Sequence, residues 1–232
     1  MNEDLNFLRN GMTRRQALAG VGISALALSE LLAACSSGSK TTQANSSGAA
    51  TSASYPKGAG KAVDKMTWAL FADPVSMDYA FAYDFNTNPV VTNIVESLLR
   101  MSPTGELQPN LARSWKKVNE VTYVYTLRQG VKFHNGAEMT AADAAASMER
   151  IIDPAVGSYL ASFVSNVKSV QATSQYELTV TLSKPDALWQ YVPATTVGGV
   201  SQKSFLAANG KNIGKPAVGM MGTGPYKFES WQ

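Results

Sequence analysis

The sequence predicts a mixed α/β fold, and three observations carry this prediction. Short runs rich in β-branched and aromatic residues, such as residues 121–127, are typical of strands. Other segments place apolar residues at helical spacing, as residues 88–99 do. The two kinds of segment follow one another in mixed order, with neither a strict strand-helix-strand alternation nor an internal repeat.

The first half of the predicted fold contains a strand, a helix and a turn. Residues 66–71 form a short apolar run that ends at an Asp-Pro pair, which indicates a buried strand. Asn88 is the predicted N-cap of an amphipathic helix of about three turns, with Pro89 in its first turn. Residues 102–105, Ser-Pro-Thr-Gly, have the composition of a turn.

The second half begins with the strand at residues 121–127. Thr140 is the predicted N-cap of a second helix, which carries Asp143 in its first turn and runs to Ile152, where Asp-Pro stops it. The remaining predicted elements are a hairpin of residues 167–172 and 176–182, a short helix over 186–191 and a strand over 226–231. Because the sequence stops directly after this last strand, we expect it to be an incomplete chain.

Composition excludes several classes of function. With 45% hydrophobic and 16% charged residues, the 232-residue chain can bury a core. The net charge of +3 comes from scattered basic residues, so nucleic acid is not an expected partner. One cysteine and one histidine exclude a disulfide framework and a zinc site of the Cys/His type, and no glycine-rich phosphate loop occurs. We therefore expect neither a metal nor a cofactor.

Residues 1–34 have the layout of a signal peptide. Arg14 and Arg15 precede a weakly apolar stretch that is shorter than the roughly 20 residues of a membrane span. The arginine pair resembles a twin-arginine export signal, with the general secretory route as the alternative. Residues 32–35, Leu-Ala-Ala-Cys, resemble a bacterial lipobox in which Cys35 receives a diacylglycerol. The alternative is that Cys35 is an incidental small residue at the end of the signal peptide.

Residues 35–60 are small and polar, with almost nothing to bury. We predict that they form a flexible lipidated tether, so that the folded part, residues 61–232, is held off a membrane.

Candidate binding residues cluster in the loop between the first predicted strand and the helix at Pro89. This segment is too polar to be expected in the core, and ligands of open α/β sheets collect beyond the carboxyl ends of strands. The aromatic rings would stack on a solute while the carboxylates and the amide bind its polar groups. The alternative is an ordinary solvated surface loop. The candidates are Asp78, Tyr79, Tyr83, Asp84 and Asn86.

No catalytic residues are predicted. A hydrolase of the Ser/His type would need a Gly-x-Ser-x-Gly elbow, which is absent, and could use only His134 as its base. A lone histidine beside the predicted Asn135-Gly136 turn is more often a hydrogen-bonded structural residue, and Trp115 is predicted to lie in the core. A purely structural lipoprotein would show repeats or heptads, and neither occurs.

Four motifs in order resemble signatures of the family 5 extracellular solute-binding proteins, the peptide- and nickel-type receptors of ABC importers. The match extends over residues 61–232. Its motifs are LQPNLARSW at 107–115, YVYTLRQGVKFHNG at 123–136, MTAAD at 139–143 and GTGPYKF at 222–228. Ala144, Ala145 and Ala146 depart mildly from the family pattern, which usually has an apolar-aromatic helix start there.

The resemblance implies a two-lobed periplasmic-binding-protein-like fold of type II, with a mixed sheet, helices and an extra N-terminal subdomain. Only the N-terminal lobe and this subdomain would be present here, with the candidate loop facing the cleft. The expected function is that of a lipid-anchored, extracytoplasmic and monomeric receptor on a bacterial cell membrane, which captures peptide-like solutes and delivers them to ABC permease subunits. Nickel complexes, opines or sugars are the alternative solutes, and a secreted lipoprotein hydrolase is the alternative of another class. Because it would offer only one wall of the cleft, the chain alone is expected to bind solute weakly or not at all.

Overall fold

The computed structural model describes residues 65–232, and Cys35, Arg14, Arg15 and the tether lie outside this part. Its strands are β1 Leu99–Met101, β2 Leu107–Pro109, β3 Ala112–Asn119, β4 Thr122–Leu127, β5 Val167–Ser174 and β6 Glu177–Leu182. The main sheet is antiparallel, with four strands in the spatial order β3-β4-β6-β5. A separate two-stranded pair, β1 and β2, follows the first helix. None of the helices in this part has the length and apolar character that a membrane crossing requires.

The sheet confirms the predicted strand at residues 121–127 and the predicted hairpin. In β4, Tyr123, Tyr125 and Leu127 are buried on the core face, and Tyr125 pairs with Leu178 of β6. The other face of β4 carries Thr122, Val124 and Thr126, of which the threonines are half-buried and Val124 is buried. Trp115 of β3 is only half-buried and packs against the margin of the core.

The helices are α1 Thr87–Val91, α2 Ala141–Ile152 and α3 Lys203–Asn209. Helix α2 confirms the prediction from Thr140 and Asp143: the Asp143 carboxylate accepts hydrogen bonds from the Thr140 amide and hydroxyl, both at 2.8 Å. The helix ends before Pro154, as predicted, and packs against β5 and β6. Short 3₁₀ turns complete the fold at Tyr79–Phe81, Ala161–Val164, Trp189–Ala194, Thr196–Gly198 and Gly210–Asn212.

The prediction of a three-turn helix from Asn88 is wrong in length and in its N-cap. Helix α1 ends at Val91, where the Thr92 hydroxyl and the Asn93 side-chain amide donate to the backbone carbonyls of Asn88 and Pro89. Asn88 lies inside the helix. The apolar residues that suggested a longer helix are nevertheless buried, in a turn and the start of β1: Ile94, Val95, Leu98 and Leu99.

The strands predicted at residues 66–71 and 226–231 are not formed. A strand requires a neighbour for its backbone hydrogen bonds, and neither segment pairs with a strand of the described chain. Trp68 and Tyr226 remain 57% and 56% exposed and line an apolar groove of about 430 Å³. The helix predicted at 186–191 is a 3₁₀ helix displaced to Trp189–Ala194, and it contains Pro193.

Candidate functional site

The five predicted binding residues lie in one loop, residues 78–86, here called the site loop. Asp78 and Tyr79 are buried, with 1% and 0% exposure, so the expectation that this loop is too polar for the core is wrong at these two positions. Asp84 and Asn86 are half-buried, and Tyr83 is 67% exposed. The site loop is therefore anchored at residues 78–82 and presents residues 83–86, the tip, at the surface.

Asp78 is buried because its charge is paired. Its Oδ2 atom accepts a hydrogen bond from Nη2 of Arg150 on α2, at 2.5 Å. Its Oδ1 atom caps the following 3₁₀ turn by accepting from the amide of Ala80 at 3.0 Å. Both carboxylate oxygens thus have donors within the protein, which removes the cost of an unpaired buried charge.

Tyr79 is held by the same helix. Its hydroxyl donates a hydrogen bond of 2.8 Å to the backbone carbonyl of Ser147. Burial, assisted by the neighbouring Asp78 carboxylate, raises the pKa of the Tyr79 phenol well above its ordinary value. Tyr79 is therefore a neutral donor fixed in the core, with one side on the cavity described below.

The tip is shaped by Asp84. Its Oδ1 atom accepts hydrogen bonds from the amides of Asn86, at 2.8 Å, and Thr87, at 3.0 Å, and so caps the start of α1. Hydrogen bonding from the Thr87 side chain, followed by these amides, lowers the pKa of the Asp84 carboxyl. Asn86 accepts from the amide of Ala72 at 3.3 Å. Asp84 and Asn86 are thus engaged in holding the backbone of the tip.

The tip exposes two aromatic rings. Phe85 is 96% exposed, even more than Tyr83, and the sequence prediction missed it. The sequence could have indicated this exposure, because an aromatic residue between Asp84 and Asn86 in a turn cannot pack into the core. An exposed pair of rings on a fixed backbone can pack against the apolar parts of a solute.

A cavity of about 500 Å³ lies beside the anchored part of the site loop, within the size range of small-molecule sites. It has a carboxylate, a guanidinium and several amides and hydroxyls in its wall. Glu96 accepts from the Thr223 hydroxyl at 2.8 Å, and Arg100 donates from Nε to Gln108 at 3.1 Å. The polar wall residues include Asn88, Thr92, Glu96, Ser97, Arg100, Asn110, Thr195 and Thr196.

His134 is a structural residue, as predicted. Its Nε2 atom lies 2.9 Å from the carbonyl oxygen of Gly224, and its amide donates to the carbonyl of Gly222 at 3.0 Å. In the adjacent turn only Gly136 adopts a positive φ, of 87°, whereas Asn135 does not. Within residues 65–232, no group of three or more His, Cys, Asp or Glu side chains is arranged to hold a metal ion.

The chain is similar to proteins that bind solutes. The model of the bacterial extracellular solute-binding proteins, family 5 (Middle), matches residues 106–232, more than half of the sequence. A dipeptide-binding protein of Lactococcus lactis subsp. cremoris is 27% identical over 179 residues, which cover 70% of this chain and 32% of the relative. The glutathione-binding protein GsiB of Escherichia coli K12 is 27% identical over 164 residues, covering 70% and 31%.

A solved structure gives the same result for the fold. The ABC transporter-associated periplasmic binding protein DppA from Helicobacter pylori, in complex with the peptide STSA, superposes with a TM-score of 0.60 at 30% identity. The match covers 69% of this chain and 36% of DppA. The described part is therefore a mixed α/β fragment of that fold, and the chain spans about a third of the length of the relatives it matches.

Proposed function

The chain belongs to the bacterial extracellular solute-binding proteins of family 5, and from this membership we propose that it is the solute-binding component of an ABC importer. It captures peptide-like solutes and delivers them to the permease. The family match confirms the predicted resemblance and the prediction of a binding protein over a hydrolase. The structural observation that carries the proposed solute site is the tip of the site loop, where Tyr83 and Phe85 are exposed on a fixed backbone.

Two features support a peptide-like solute. Peptides carry variable apolar side chains on a constant polar backbone, and two exposed rings can pack against many different side chains. The relatives described above are a dipeptide-binding protein, a glutathione-binding protein and a protein in complex with the peptide STSA. Nickel complexes, opines and sugars are the alternative solutes of the same kind of receptor.

We assign residues 61–232 to the N-terminal lobe, with the extra subdomain, of a two-lobed receptor of type II. The limited coverage of the relatives supports a chain that matches one part of such a receptor, and the choice of the N-terminal lobe follows from the resemblance of the four motifs. In such a receptor the tip forms one wall of the cleft, and the other lobe closes on the solute. The chain alone then offers only part of the contacts and excludes water poorly.

The proposal is tested by titrating the ¹⁵N-labelled chain with tri-alanine, and separately with glutathione and sucrose, to millimolar concentration. We expect either peptide to shift the amide signals of residues 83–86 in NMR spectra, and sucrose to leave them in place. Tyr83→Ala and Phe85→Ala should each weaken the affinity by up to about tenfold, the value of one lost aromatic contact.

Tyr226→Ala is the matched control, because Tyr226 is a similarly exposed tyrosine outside the site loop. It should leave the affinity unchanged. Shifts caused by sucrose alone would favour a sugar receptor, and peptide shifts confined to residues outside the site loop would refute the assignment of the site.

We also propose that the protein is exported and anchored through Cys35, on the outer side of a bacterial cell membrane. The Leu-Ala-Ala-Cys sequence after an apolar run, and the polar segment after it, support this location. Dual or triple acylation gives stable anchoring where one chain does not. Mass spectrometry of the membrane fraction should show a lipidated N-terminal Cys35, and Cys35→Ser should abolish the modification. A mature N-terminus elsewhere in the membrane-bound protein would contradict the proposal.

Export by the twin-arginine route has its own test. The double variant Arg14→Lys, Arg15→Lys keeps the charge but loses the planar guanidinium pair that this route recognises. We expect the precursor to accumulate in the cytoplasm, as measured by cell fractionation. Undiminished export of the double variant would assign the chain to the general secretory route.

A further inference from the structure

Helix α2 carries a polar stripe on the side that faces the core. Asp143, Ser147 and Arg150 are spaced four and three residues apart, so they lie on one face of the helix. Asp143 is 8% exposed, Ser147 is 0% exposed, and the Arg150 side chain is 11% exposed. Polar groups at such positions are costly unless each has a partner, so the partners indicate what the stripe is for.

The stripe binds two other segments of the chain. The Asp143 carboxylate accepts from the amide of Lys203 at 2.9 Å, and the Ser147 hydroxyl accepts from the amide of Ser201 at 2.9 Å. At the other end, the Ser147 carbonyl receives the Tyr79 hydroxyl, and Arg150 pairs with Asp78. The end of the stripe nearest Arg150 therefore binds the first two residues of the site loop.

The rest of the anchored part is fixed through its carbonyl oxygens. The Ser158 hydroxyl donates to the carbonyl of Ala80 at 2.6 Å, and the Asn88 side-chain amide donates to that of Ala82 at 3.1 Å. The next residue is Tyr83, the first exposed side chain of the tip. The backbone that leads into the tip is thus held by side chains outside residues 83–86, whereas Asp84 holds the tip itself.

The observations on the Asp78–Arg150 ion pair indicate that it fixes the position of the site loop rather than adding to the stability of the fold. A buried ion pair is often no more stable than apolar residues of the same volume. The Nε atom of Arg150 is buried and has no hydrogen-bond partner among residues 65–232, so the guanidinium is only partly satisfied. What the pair supplies is a fixed distance and direction between α2 and the start of the site loop.

We propose that Arg150 is a positioning residue for the tip of the site loop. Through Asp78 it fixes the backbone from which Tyr83 and Phe85 project, without contact with the solute. The consequence for affinity rests on the function proposed above, whereas the consequence for the loop does not.

The test is hydrogen exchange of the 232-residue chain, measured by mass spectrometry on peptides that cover residues 78–88, β4 and β6. Arg150→Lys keeps the charge but places its nitrogen one bond short of the Nη2 atom that donates to the Asp78 carboxylate, so this contact is lost. We expect exchange over residues 78–88 to become at least about tenfold faster, while β4 and β6 keep their protection. Tri-alanine binding, followed by the NMR shifts of residues 83–86, should weaken in parallel.

Two further variants keep the test decisive. Ser158→Ala removes the anchor at Ala80, together with the hydrogen bond that the Ser158 hydroxyl accepts from the Leu160 amide, and should loosen residues 78–88 without changing Arg150. Glu149→Gln changes an exposed charge on the neighbouring position of α2 and should change neither exchange nor binding.

Unchanged exchange over residues 78–88 in a folded Arg150→Lys chain would overturn the proposal, whatever the result for Ser158→Ala. So would exchange that rises equally in β4 and β6, or a loosened loop with unchanged tri-alanine affinity. If Arg150→Lys loosens residues 78–88 but the wild-type chain binds neither tri-alanine nor glutathione, the positioning of the loop is upheld and the proposal that residues 83–86 bind peptide in this chain is refuted.

Discussion

Replacing Asp78 with alanine is expected to lower the free energy of unfolding by about 3–5 kcal/mol, because it leaves the Arg150 guanidinium buried without its counter-charge. The substitution also removes the cap that Asp78 provides to the amide of Ala80. Urea denaturation followed by circular dichroism measures the change. The slope of the unfolding free energy against urea concentration shows whether the transition remains cooperative.

A double-mutant cycle separates the ion pair from the cap. Arg150→Met, which leaves Asp78 buried and unpaired, should cost a similar amount, and Asp78→Ala together with Arg150→Met should cost clearly less than the sum of the two. Asp73→Ala, at an exposed aspartate five residues earlier in the chain, should stay within about 0.5 kcal/mol of the wild type. Additive costs in the cycle would show that the two charges do not stabilise each other.

This pair also shows what the sequence could not predict. Asp78 and Arg150 are 72 positions apart, and nothing in the local pattern around Asp78 indicates a partner. The two aspartates, two tyrosines and asparagine of this segment suggest a surface loop, but Ala80, Phe81 and Ala82 lie among them, and the burial of Asp78 beside these residues is a tertiary effect. The exposed tip, by contrast, follows from local chemistry, because Asp84 caps the helix that begins next to it.

The same distinction explains the secondary structure. The start of α2 was predictable, since Thr140 and Asp143 form their capping interaction within four residues. The length of α1 was not, because apolar residues at helical spacing are equally well buried by a turn and a short strand. The segments at 66–71 and 226–231 have strand-like sequences, but strand formation depends on a partner that local pattern cannot supply.

The GTGPYKF motif is expected to be as sensitive as the buried ion pair, for a steric reason. The backbone of Gly222 lies directly against that of Ile94: a Cβ atom at position 222 would be 2.0 Å from the Ile94 carbonyl oxygen and 2.7 Å from its carbonyl carbon. Gly224 donates to the same Ile94 oxygen at 2.9 Å, and the Gly222 carbonyl receives the His134 amide. Backbone on both sides leaves no flexible side chain that could move aside.

Gly222→Ala should therefore lower the free energy of unfolding by about 3 kcal/mol, at the upper end of the usual cost of overpacking, because residues 93–95 must separate from residues 222–224. Thermal and urea denaturation measure the loss. Thr223→Ala is the matched control at the adjacent position: it removes the hydroxyl that donates to Glu96 at 2.8 Å but adds no atom, so it should cost only about 1 kcal/mol. A Gly222→Ala chain as stable as the Thr223→Ala chain would mean that these backbones are not in contact, and that the motif has a role other than close packing.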